Sequence, residues 1–147
     1  MLRHVEPDDI PVFFAQQRDP VASNMAAFPS RDRAAHDAHW SRILAGDAAI
    51  ARTIVEDSEV VGNIGSWKTN GERQIGYWIG REYWGRGYAT HAVADLLTEV
   101  RERPVWARVA EHNIASLRVL AKCGFAVVGA EHHDGDPVRE IVLRLSA

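Results

Sequence analysis

A mixed α/β domain built around one core is what the sequence predicts, and three observations carry that expectation. The 147 residues suit a single hydrophobic core, because a folded chain of that length buries roughly 70% of the surface its unfolded form exposes. Between Ala48 and Gly80, apolar β-type runs alternate with turn signals, the pattern of an antiparallel meander. Beyond Gly80, helical and strand periodicities alternate, as in a unit that packs helices onto a sheet. One domain spanning residues 1–147 is expected, with six to seven strands in a mainly antiparallel sheet and about four helices.

Leu2 to Val5 suits a short strand. Glu6-Pro7-Asp8-Asp9 then supplies a turn and acidic first-turn residues, so a first helix is expected near Asp8, carrying Ile10, Val12, Phe13 and Phe14. Asp19-Pro20 interrupts it. Pro29-Ser30 offers a cap for a polar helix with Ala34, Ala35, Ala38, His39, Ile43 and Leu44, which Gly46-Asp47 closes. Ala48 to Val55 and Val60 to Trp67 form a hairpin across Glu56-Asp57-Ser58-Glu59. After the turn Thr69-Asn70-Gly71-Glu72 comes a third strand, Gln74 to Gly80, with Ile75, Tyr77 and Ile79 on one face.

Ala89, Ala92, Val93, Leu96, Leu97 and Val100 recur at helical spacing, and Pro104 ends that helix before a strand from Val105 to Val109. Asn113 to Lys122 reads as a helix burying Ile114, Leu117, Leu120 and Ala121, stopped by Gly124. Two final strands, Phe125 to Val128 and Val138 to Leu145, flank the polar loop from His132 to Pro137. Trp67, Trp78 and Trp106 fall on strands, where core packing is the simplest role.

The formal charge of −3 lacks the basic excess that binding a phosphate backbone requires, which speaks against nucleic acid as a partner. Cys123 is the single cysteine, so an internal disulfide and a Cys-pair zinc site are both excluded. No apolar signal core stands at Met1 to Asp9 and no 18-residue apolar run occurs, so a cytoplasmic chain that neither enters nor spans a membrane is expected. His36 and His39 lie three apart on a helix but have no evident third ligand, and no metal is expected. With Asp32 and Trp40 they are read as surface or packing residues, or alternatively as the wall of a cleft.

The most informative stretch runs from Trp78 through Gly80-Arg81-Glu82-Tyr83-Trp84-Gly85-Arg86-Gly87 to Tyr88-Ala89-Thr90, where a strand passes through Gly-x-Gly into a helix N-terminus. Glycines there allow positive φ, so that successive N–H groups converge on an anion with the helix dipole behind them and Arg86 as a mobile cation. The Walker pattern is absent, and a preceding antiparallel meander does not suit a dinucleotide fold. The second stretch, Asn113 to Phe125, places Asn113 at an N-cap, Ser116 at the third helical position and Gly124 at the stop.

Ile75-Gly76-Tyr77-Trp78-Ile79, Trp84-Gly85-Arg86-Gly87-Tyr88-Ala89-Thr90 and Asn113 through Phe125, in that order, resemble the motifs of the GNAT superfamily of acyl-CoA N-acyltransferases, in particular its RimJ/RimL-type branch. The resemblance implies a sheet splayed between its fourth and fifth strands with acetyl-CoA in the gap. It assigns the pyrophosphate to N–H groups from Trp84, Gly85, Arg86, Gly87, Tyr88, Ala89 and Thr90. The pantetheine falls to Trp78 and Ile79 and the cofactor arm to Asn113, with Ser116 near the sulfur. The implied reaction is direct attack of a primary amine, from a peptide N-terminus or a small molecule, on the thioester. A catalytically silent acyl-CoA-binding module is the alternative, and a fold relative that no longer binds CoA is a third reading. The family often dimerises, so a homodimer is among the states the resemblance allows.

Two positions depart from the family pattern. Leu120 stands where many relatives carry the Tyr that protonates the leaving thiolate, which leaves Ser116 as the substitute. Gln74 stands where relatives often carry a basic Glu, which leaves Glu72, His112 or Glu111 as nearby titratable groups, with Glu72 taken as the candidate base. Cys123 beside Gly124 is read as a packing residue and not as a nucleophile. A lysine amine with a pKa near 10.4 is only ~0.1% neutral at pH 7.4, against ~30% for an α-amine near 7.8, so a weak base favours a less basic acceptor.

Overall fold

The computed structural model describes residues 1–46 and 48–147. Seven strands form one sheet in the order β1-β2-β3-β4-β5-β7-β6: β1 Leu2–His4, β2 Ile50–Glu56, β3 Glu59–Thr69, β4 Glu72–Ile79, β5 Val105–Ala110, β6 Ala126–Glu131 and β7 Glu140–Leu145. Among the described residues five α-helices accompany it: α1 Asp9–Arg18, α2 Pro20–Ala26, α3 Arg33–Ala45, α4 Tyr88–Glu99 and α5 Ile114–Lys122. All neighbouring strands are antiparallel except β4 and β5. The β3–β4 hairpin turns on Asn70 and Gly71, both at positive φ, as a two-residue turn matched to strand twist requires.

One face of the sheet packs against α4 and α5. Ala92, Val93 and Leu96 of α4 and Leu120 of α5 meet Ile64, Ile75 and Ile79 from the meander and Val105, Val109 and Leu143 from the far strands. The other face is covered by α1 and α3, where Phe13 and Trp40 stack at 4.8 Å. A buried carboxylate fixes α1 to the sheet. Asp9 accepts both Arg3 guanidinium nitrogens at 2.7 and 2.8 Å, the Thr53 hydroxyl at 2.7 Å and the Glu6 N–H at 2.8 Å. Burial pushes the Asp9 carboxyl up, but these four donors outweigh it and hold the group below the ordinary carboxylate range.

Several expectations are corrected. Asp32, not Ser30, caps α3, with its carboxylate accepting the Ala35 N–H at 2.8 Å. The expected stop at Gly46-Asp47 holds at Gly46, while Asp47 lies outside the described residues. Asp19-Pro20, expected only to interrupt the first helix, also starts α2: Asp19 accepts the Val21 N–H, and proline at the first position has no N–H to waste. Ile114 is 51% exposed and Ala121 is exposed as well, because it is Leu117, Val119 and Leu120 of α5, with Cys123 at its C-cap, that reach the core. The strand tryptophans are not core residues either. Trp67 is 41% exposed, and Trp106 lies half-buried beneath the Arg144 guanidinium.

Replacing Asp9 by Ala leaves Arg3 and Thr53 without their shared acceptor and should cost about 3 kcal/mol, read as a fall in the denaturant midpoint. Because the folded-state pKa is depressed, the contribution is present above the ordinary carboxylate value near 4 and lost as pH falls through the folded value. A midpoint unchanged by the substitution, or an acid limb of stability that survives it, would contradict this role.

Candidate active site

The site is set by the parting of β4 from β5. The two strands pair only at Arg73 with Val105 and Gln74 with Trp106. Beyond that point β4 continues to Ile79 bonded to β3, and β5 continues bonded to β7. The Gly80 N–H donates to the Val61 carbonyl at 2.8 Å, and along an antiparallel strand successive residues face alternately toward and away from their partner. The backbone groups of Tyr77 and Ile79 therefore point into the gap, whereas those of Trp78 face β3. The Ile79 carbonyl is taken by the Trp84 indole N–H at 2.9 Å, which folds that ring back over the end of β4.

A cavity of about 530 Å³ fills the gap, within the range of small-molecule sites. Four consecutive residues of β4 and four of β5, Ile75 to Trp78 and Ala107 to Ala110, line it. Consecutive side chains lie on opposite faces of a sheet, so this cavity passes through the sheet along the parted edges.

On the α5 side stand Asn113, Ser116 and Tyr77. Asn113 Oδ1 accepts the Ser116 N–H at 3.3 Å, the N-cap that the sequence indicates. The Ser116 and Tyr77 hydroxyls hydrogen-bond to each other across the opening. Burial pushes the Tyr77 phenol up to about 12. Sequence alternation puts Tyr77 on one strand face with Ile75 and Ile79, and nothing local shows that α5 presents a hydroxyl to it. Leu120, 1% exposed, is a core residue. Cys123 is half-buried, and burial raises its thiol.

On the opposite side the wall comes from α3 and the meander. His36, His39 and Trp40 line the cavity together with Trp67 and Trp78, and His36 and Trp40 are at the same time buried packing residues, Trp40 against Phe13, so the packing role and the cleft wall coincide there. Asp32 is occupied as a cap. A Cβ at Gly76 would stand 2.8 Å from the Trp67 ring, so glycine there lets the indole lie across β4. His36 is 3% exposed, and its Nδ1 has no hydrogen-bond partner among the described residues. Burial holds its pKa below the ordinary value, with help from Arg31 and Arg33 and against Asp37.

The loop before α4 is open. Gly85 and Gly87 have φ of +77° and +83°, and no atom lies within 4 Å of a Cβ built at either. The N–H groups of Gly85 through Thr90 donate to no acceptor among the described residues, and the first bond of the helix runs from His91 to Gly87. Arg86 is exposed and lies over the Tyr83 ring at 5.9 Å. An exposed row of free N–H groups at a helix N-terminus, with a guanidinium beside it, fits a phosphate group.

Glu72 opens β4 at the zipped end, outside the residues that line the cavity, and lies 3.6 Å from Arg108. Gln74 is buried, and its Oε1 accepts from Arg108 at 2.8 Å. Glu111 pairs with Arg139, and a ring nitrogen of His112 lies 2.9 Å from the Asn24 carbonyl. Among the described residues no group of three His, Cys, Asp or Glu is arranged to hold a metal, and no helix is long and apolar enough to cross a membrane.

Comparison with known proteins agrees with this geometry. An N-acetyltransferase of Bacillus licheniformis, p20, itself uncharacterised, is 32% identical over 83 residues, which is 52% of this chain and 47% of that protein; the chain thus aligns with about half the length of its curated relative. Spermidine N-acetyltransferase from Vibrio cholerae, solved with CoA and spermine, superposes with a TM-score of 0.85 at 14% identity over 99% of this chain and 94% of that one. RimJ from Mycobacterium smegmatis, in complex with CoA-disulfide, gives 0.78 at 23% identity over 99% and 81%. The acetyltransferase (GNAT) domain family matches residues 1–126. With most of its length inside that match, the chain belongs to the GNAT acetyltransferase family.

Proposed function

We propose that this protein transfers an acetyl group from acetyl-CoA to a primary amine, by direct attack within a ternary complex, as a RimJ/RimL-type enzyme. The observation that carries this reading is the unpaired edge of β4 facing the Ser116–Tyr77 pair at one end and the open N–H row at the other. In this reading the N–H groups of Gly85 to Thr90 hold the pyrophosphate, with Arg86 closing over it, while the Trp84 N–H that the resemblance adds to them is spent on the Arg81 carbonyl. The free backbone groups of Tyr77 and the free N–H of Ile79 pair with the pantetheine arm, Trp78 walls it, and Asn113 hydrogen-bonds it. The Ile79 N–H is fixed before substrate arrives, which suits it to polarise the thioester carbonyl.

When the amine nitrogen bonds to the carbonyl carbon, the carbon–sulfur bond breaks and a thiolate leaves. A thiol with a pKa near 8.5 takes a proton from a phenol held at about 12 only against roughly 5 kcal/mol, so Tyr77 is a hydrogen-bond donor and not the final acid. With the phenol donating to Ser116 Oγ, the Ser116 O–H is free to hydrogen-bond the departing sulfur, which leaves as the thiolate and takes its proton from solvent. On the acceptor side the amine must lose a proton. Glu72 serves only through an intervening water, because Arg108 lies against its carboxylate and it does not line the cavity. His36 lines it, and its depressed pKa leaves it neutral at pH 7.

Three outcomes test this. Acetyl-CoA at a hundred times its dissociation constant should stabilise the protein by about 2.7 kcal/mol, and Gly87→Val, which places a branched side chain at positive φ, should abolish most of that shift in a melting assay. Ser116→Ala and Tyr77→Phe should each lower kcat roughly tenfold or more in a thiol-release assay, with the double variant little worse than Ser116→Ala. Fully multiplicative losses would show that the two hydroxyls act separately. Finally, kcat/KM should fall as pH drops through the depressed pKa of His36, and His36→Gln should remove that acid limb; a limb that persists assigns it elsewhere. Acetyl-CoA binding without turnover on any amine would favour a silent acyl-CoA-binding module.

A further inference from the structure

We propose that the acceptor half of the cavity is built for an amine that also carries an oxyanion, such as a free carboxylate, with Arg31 as the residue that binds it; this rests on the transferase reading above. Arg31 lies in the connection between α2 and α3 and lines the cavity. Its backbone is gripped from both sides by the buried Gln17 of α1. Gln17 Oε1 accepts the Arg31 N–H at 2.7 Å, and Gln17 Nε2 donates to the Arg31 carbonyl at 3.1 Å. The guanidinium lies over the Phe28 ring at 4.9 Å. A buried amide thus fixes the backbone and an aromatic face supports the head group, as in a preorganised anion site.

No carboxylate meets this guanidinium among the described residues. Arg108, the other arginine lining the cavity, is paired with Glu72 and Glu131. Glu140 is the acidic residue in the lining, and His133 is 2.9 Å from it. Arg42 lies close enough to Arg31 to lower its pKa further after burial has done so, and His36 and His39 border the same space without adding negative charge. The acceptor side therefore presents an unpaired cation where binding a polyamine requires carboxylates. The unpartnered Nδ1 of His36, buried in the same wall, is a second polar atom left for a ligand. Planar, fork-shaped donors of this kind match a carboxylate in two hydrogen bonds.

The test is thiol release from acetyl-CoA with matched acceptors: a panel of α-amino acids, their carboxamides, and spermidine. The carboxylates should be favoured over their carboxamides by roughly ten- to a hundredfold in kcat/KM, mainly through KM. Arg31→Gln should collapse that ratio toward one, and Arg31→Lys should restore part of it. Equal rates for acid and amide, a preference for spermidine, or an acid preference that survives Arg31→Gln would overturn the proposal and leave acetyl transfer standing. If no amine is turned over, the transferase reading fails first. The anion site is then read from the melting temperature of the CoA-loaded protein, where an amino-acid-dependent rise that is absent in Arg31→Gln supports it and the lack of any rise overturns it.

Discussion

The rest of this molecule depends on two parallel strands that start paired and do not stay so. After Gln74 and Trp106, β5 keeps its ladder with β7 and β4 keeps its ladder with β3, so a row of polar backbone groups is left on β4 inside the protein and not at a solvent edge. Buried backbone donors without partners are costly, and folds tolerate them where a ligand completes the pairing. The parted strands also open the sheet from face to face, so that one cavity reaches both of its sides.

What surrounds that opening divides by chemistry. Toward α4 and α5 lie free N–H groups, a capped helix start and two hydroxyls that share a hydrogen bond, all suited to a long phosphorylated thioester. Toward α1 and α3 lie three tryptophans, two histidines whose pKa burial lowers and an arginine with no carboxylate among the described residues. The Asp9 network and the Gln17 clamp do no chemistry, yet they hold α1 and the α2–α3 connection against the sheet and so fix the second wall.

Much of this was legible in the sequence because it rests on local grammar. Asn70-Gly71 specifies its turn, the spacing of Ala92, Val93 and Leu96 specifies α4, and Asn113 with Ser116 specifies the start of α5. The splay, which no single segment encodes, was implied only by the resemblance of the ordered motifs to those of the GNAT superfamily. What stayed hidden rests on long-range encounters. Tyr77 alternates like a core residue, and only the approach of α5 makes it a partner of Ser116. Gln17 and Arg31 are fourteen positions apart and carry no shared pattern. Asp19-Pro20 gives a stop for α1 and a start for α2 at once, so one signal concealed two elements. Trp67 sits on a strand with ordinary alternation, but Gly76, two residues along β4 from its partner Gln74, leaves room for its ring to lie across that strand.

Amide hydrogen exchange at Tyr77 and Ile79, resolved by residue and compared with Trp78 and Gly80, tests the open edge most directly. In the free protein the first pair should exchange faster than the second, which are bonded to β3, and saturating acetyl-CoA should slow the first pair selectively. Equal protection of all four amides without ligand, or exchange at Tyr77 and Ile79 that acetyl-CoA leaves unchanged, would contradict it.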